Sequence, residues 1–234
     1  MLVKSFQRLK NYHNKSMNKA PKTNDRFLIS YLELRKAIGI LGISLPFILA
    51  IGGIFLFKLL GIQPSLSGYY YTGMRDVFVG NLCAIGVFLW SYKGYERSDD
   101  IAGDLACIFA VGVAFFPTFP PDPSALEKVV GIIHFISAAC FFIVLAYFCF
   151  ALFTKSDSDS PTDKKLLRNA IYKACGFIIV GALVLLGLNA ILPESLKDLY
   201  EYLDPVFWLE SIAIIAFGFS WFVKGEGILK DEIQ

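Results

Sequence analysis

The chain has 234 residues, of which 56% are hydrophobic, 15% aromatic and 18% charged, with mean hydropathy +0.57 and a formal charge of +2. That composition is too apolar for a soluble domain of ordinary make-up and places the chain among membrane proteins. Cys83, Cys107, Cys140, Cys149 and Cys175 all fall in apolar segments without C-x-x-C or zinc-ligand spacing, so no disulfide framework, metal site or cofactor is expected; nor is a nucleic-acid partner.

No cleavable signal peptide is expected, because the first apolar run long enough to insert begins near Ala37, too late and too long for a signal sequence. Residues 1–36 carry nine Lys or Arg against two acids, with Leu2, Val3, Phe6 and Leu9 at helical spacing. They read as a cytoplasmic segment, either a basic helix on an anionic membrane surface or a solvated arm that only fixes topology.

Six segments, 37–60, 76–92, 101–117, 129–153, 170–192 and 206–223, are long enough to cross a hydrocarbon layer of about 30 Å. Pro46 predicts a kink in the first, and Gly52-Gly53 a point of close approach. The third carries Ala102, Ala106, Ala110 and Ala114 at an interval of four, a ridge that lets helix backbones approach closely. Such a ridge serves packing within a chain or between chains, so a homo-oligomer stays open. The phenylalanines of the fourth, Phe135, Phe141, Phe142, Phe148, Phe150 and Phe153, circle much of its surface, and several are expected to face lipid. The polar 154–165 stretch is a loop dividing four spans from two, and 224–234 forms a tail.

With the N-terminus inside, eighteen of the twenty-two Lys and Arg fall in cytoplasmic segments, and only Lys58, Arg75, Lys128 and Lys197 lie outside. The positive-inside rule therefore predicts an all-α, polytopic bundle of six transmembrane helices with both termini in the cytoplasm. The expected location is a bacterial cytoplasmic (inner) membrane. Asp104, near the inner end of the third span, is expected to pair with Lys93, Arg97 or Lys173.

This orientation assigns a depth to each polar group. Ser65, Ser67 and the tyrosines Tyr69, Tyr70 and Tyr71 lie in the loop before the second span, with Arg75 and Asp76 at its mouth and Asn81 about one turn deeper. His134 lies about 9 Å below the outer edge of the fourth span. Asn189 is near the outer end of the fifth, and Glu210, just past Trp208, is about 8 Å inside the sixth. An ionised group at mid-bilayer costs about 2.5 to 3.5 kcal/mol, so a shared interior cluster is cheaper than exposure to lipid.

The expected ligand-binding set is therefore Tyr70, Arg75, Asp76, Asn81, His134, Asn189, Trp208 and Glu210, with membrane lipids as partners. Three readings stay open: a pocket binding or handling a lipid or amphiphile, a structural or partner-binding cluster that locks the helices, and an intramembrane hydrolase at the outer interface. Ser65 or Ser67 with His134 and Asp76 supplies the residue types of a hydrolase. His134, Asp76 and Glu210 supply those of a one-histidine, two-carboxylate metal site, whereas the two histidines of the chain exclude a three-histidine zinc site.

The Ser65-Leu66-Ser67 loop leading through Arg75 and Phe78 to Gly80, together with residues 134–142 opening the fourth span, resembles the six-span Frag/DRAM type of membrane protein. The tyrosine run at 69–71 and the sequence at 92–100 look more like its bacterial relatives of unknown function. The resemblance extends in layout over most of residues 37–223. It implies a lipid-related pocket containing His134, since animal members are associated with lipid-anchor remodelling or with autophagy and lysosomal membranes.

Overall fold

The computed structural model describes residues 31–94, 96–156 and 162–229, which belong to one compact unit, Tyr31–Gln234. Residues 1–30 of the basic segment, with its expected surface helix, lie outside the described residues, whereas its last six, 31–36, belong to the first helix, which begins earlier than the expected residue 37. Six long helices account for most of the rest: α1 (Tyr31–Phe57), α2 (Arg75–Trp90), α3 (Arg97–Phe115), α4 (Ala125–Tyr147), α5 (Asp163–Ile191) and α6 (Pro205–Lys224). A π turn, Phe148–Leu152, extends α4, and there is no strand among the described residues.

The ends have local causes. Helix α4 begins at a capping box: Ser124 Oγ accepts from the Glu127 N–H, and the Glu127 carboxylate accepts from the Ser124 N–H at 2.8 Å. Thr162 caps α5 through the Lys165 N–H, so that helix starts well before the apolar run expected from residue 170. Helix α6 opens with Pro205 at its first turn. Helix α1 stops at Phe57, short of the expected residue 60, because Lys58 adopts a left-handed conformation (φ 57°). The chain then turns back, and the Leu59 N–H reaches the Gly53 carbonyl.

Each helix packs on its neighbours in sequence, and α6 closes against α1, so the six form a ring. The α1–α6 contact depends on glycine: a Cβ at Gly39 would lie 2.7 Å from the Gly218 carbonyl oxygen, and one at Gly218 would lie 2.6 Å from that of Gly39. The expected alanine ridge of α3 is buried inside the chain, with Ala106, Ala110 and Ala114 fully covered. One end of the ring is filled by Tyr92, Phe148, Phe153, Phe217 and Trp221, whose rings meet edge-on or tilted. Three phenylalanines of the fourth span, Phe141, Phe148 and Phe153, thus face inward, whereas Phe135 is half exposed.

Near the same end Asp99, wholly buried, accepts a 2.6 Å hydrogen bond from Lys155, which raises the Lys155 pKa. Lys93, one of the three partners expected for Asp104, pairs with Asp100.

Four helical segments, Tyr31–Phe57, Ala125–Leu152, Asp163–Ile191 and Glu201–Lys224, are long and apolar enough to cross a membrane. Their outward faces carry exposed Phe47, Ile51, Phe55, Phe177 and Val184. Such a surface suits lipid and not water.

Candidate functional site

The 58–74 connection between α1 and α2 folds over the other end of the ring. A short 3-10 helix, Ser67–Tyr71, follows Leu66, and Tyr69 packs against Gly53 of α1 with its ring fully buried. Burial raises the Tyr69 phenol pKa above its ordinary value. The Phe207 N–H at the start of α6 donates to the Pro64 carbonyl (3.0 Å), and the Leu66 N–H donates to Glu210 Oε2 on α6 (2.7 Å). Tyr71 OH donates to the Thr118 carbonyl (2.6 Å), tying the connection to the α3–α4 loop.

These bonds deliver Ser67 to α4. Ser67 Oγ lies 2.9 Å from His134 Nε2, and His134 Nδ1 lies 2.7 Å from the Phe116 carbonyl oxygen. A carbonyl can only accept, so Nδ1 carries the hydrogen. Nε2 is then the free acceptor, and the Ser67 hydroxyl donates to it. Ser67 and His134 are both buried.

Beside this pair a cavity of about 500 Å³ opens between α4, α5 and α6. Its wall is apolar, with Phe135, Phe142, Leu183 and Leu186 prominent. Its polar groups are Ser65, Ser67, Thr118, Asn189 and Glu210. A smaller void of about 40 Å³ also borders Ser67 and Glu210.

The expected cluster is therefore divided. Glu210 and Asn189 line the cavity, and Asn189 accepts from Tyr200 OH at 2.9 Å, whereas His134 does not line it and is joined to it only through its bond to Ser67. Arg75 and Asp76 do not; both are exposed. Arg75 instead donates to Tyr70 OH and lies over its ring, 4.1 Å from the centroid, so Tyr70 also belongs to this outer pair. Asn81 faces α1, where its amide nitrogen is 3.4 Å from the Leu41 carbonyl and its oxygen is buried without a partner. Trp208 is half exposed on the outer face of α6.

Asp76 consequently does not orient the histidine; the Phe116 backbone does. Nor do His134, Asp76 and Glu210 form a metal site, and among the described residues no three His, Cys, Asp or Glu side chains are grouped as one would require. The groups that the sequence reading missed, the Phe116 carbonyl and the Leu66 N–H, are backbone atoms without a residue-type signal. Comparisons with protein-family models, curated proteins and solved structures give no match.

Proposed function

We propose that this is a six-span membrane protein, with both termini cytoplasmic, that holds a lipid or other amphiphile in the cavity between α4, α5 and α6. The cavity itself carries the reading. Its volume of about 500 Å³ falls within the roughly 300–1,000 Å³ of ligand sites, and its long apolar wall ends in a few hydroxyl, amide and carboxylate groups. An acyl chain matches the wall, and a polar head matches Ser65, Thr118, Asn189 and Glu210.

Where α2 and α3 begin and end supports six spans in place of four. Met74, preceding α2, packs at Gly52 near the end of α1, and Tyr92, just past its other end, stacks on Tyr31 at the start of α1. Helix α2 therefore runs the length of a spanning helix, although its 16 residues cover only about 24 Å. Helix α3 does the same beside α4, from the Asp99–Lys155 pair to the Phe116–His134 bond. The distribution of Lys and Arg supports a cavity end on the outside and, with it, the reading of a bacterial inner-membrane protein. The Frag/DRAM-like layout agrees with a lipid role.

Gly187 gives the direct test, because it lines the cavity and a Cβ there meets nothing within 4 Å. Native mass spectrometry of the protein released from detergent is expected to show a lipid-sized adduct, lost in Gly187→Phe without a fall in melting temperature. Equal retention by Gly187→Phe, or no adduct on the wild-type protein, would overturn the proposal.

A further inference from the structure

Resting on the amphiphile reading, we propose that the site cleaves its ligand: Ser67 is a nucleophile and His134 its general base, acting on the carbonyl of a lipid acyl ester. Three observations converge. The Ser67 Oγ–His134 Nε2 distance of 2.9 Å is that of a nucleophile–base pair. The Phe116 carbonyl, 2.7 Å from Nδ1, fixes the tautomer that leaves Nε2 able to take a proton. Ser67 also lines the large cavity, so a chain lying along Phe142 and Leu186 brings an ester at its polar end to Oγ.

A purely structural pair would serve equally well away from any cavity. This one sits where an apolar slot meets its polar groups.

The chemistry closes on these groups and water. Oγ attacks the ester carbonyl as its proton passes to Nε2, and the tetrahedral intermediate expels the alcohol, which leaves with that proton. Water then attacks the acyl-serine, gives a proton to Nε2, and the acyl–Oγ bond breaks as Oγ recovers it. The products are a carboxylic acid and an alcohol. The neighbouring void of about 40 Å³, bordered by Ser67 and Glu210, has room for the water.

The test is covalent labelling of the full chain in detergent with decyl fluorophosphonate, followed by peptide mapping, alongside hydrolysis of p-nitrophenyl decanoate. We expect stoichiometric phosphonylation of Ser67, none in Ser67→Ala, and slowing by about a hundredfold in His134→Gln. Mapping the label in the wild-type protein decides the site even if a variant fails to fold. Label on another residue, or no label and no hydrolysis while the lipid-sized adduct is still retained, would overturn the nucleophile and leave binding standing. Loss of labelling, hydrolysis and adduct together would overturn both.

Discussion

His134 makes two hydrogen bonds from a buried position at the junction of α4, the 58–74 connection and the α3–α4 loop. Replacing it with alanine removes a buried ring and strands the Phe116 carbonyl, a combined cost of about 3 kcal/mol. Asp76, close to Ser67 in sequence, is exposed, and Asp76→Ala is expected to change stability by less than about 0.5 kcal/mol. Melting curves in detergent check the pair of variants, and equal losses for both would contradict the placement of His134. Hydropathy and helical rise give the depth of a polar residue along a span but not the face it occupies. That is why His134, Glu210 and Asn189 were legible as one layer, whereas Arg75, Asp76 and Asn81, at similar depth, turn to other surroundings. The Ser67–His134 pairing joins residues 67 positions apart through a loop that carries no periodic signal.

The helices themselves were legible because each apolar run is long and ends in polar residues. Their limits depend on finer chemistry: the Ser124–Glu127 box and the Thr162 cap set the starts of α4 and α5, and the left-handed Lys58 ends α1. Packing between elements rests on small residues, most severely where α1 crosses α6. At Gly39 and Gly218 an added methyl group meets backbone atoms, which cannot step aside as a flexible side chain would. Gly39→Ala and Gly218→Ala are each expected to destabilise the ring by about 2 kcal/mol or more. Gly181→Ala, on the open face of α5, has no neighbour within 4 Å and serves as the control with no loss. Thermal unfolding of the three variants in one detergent measures the difference. A Gly39→Ala protein as stable as the control would mean that α1 and α6 do not meet this closely.

At the scale of the whole molecule the two ends of the ring differ in kind. One is sealed by aromatic rings around Trp221, and the other holds the hydroxyl–imidazole pair and the cavity. Which end faces the cytoplasm, and whether α2 and α3 cross the membrane, can be decided together by a membrane-impermeant maleimide on intact cells, using single-cysteine variants of a cysteine-free background. Exposed Ser195 and Ser156 flank α5 on opposite sides, so Ser195→Cys is expected to react from outside and Ser156→Cys only after permeabilisation. Those two positions establish orientation but do not count spans, because a chain crossing only at α1, α4, α5 and α6 would place them identically. The exposed turn after α2 is decisive. With six spans Ser91→Cys is shielded together with Ser156→Cys, whereas with four spans α2 and α3 form an external hairpin and Ser91→Cys reacts together with Ser195→Cys. Shielding is the expected result, because Tyr92, beside that turn, packs on Trp221 near the C-terminal end of α6, the end that the proposed topology puts on the cytoplasmic side. Placing residue 91 outside would require a spanning α6 to carry its C-terminus to the same side.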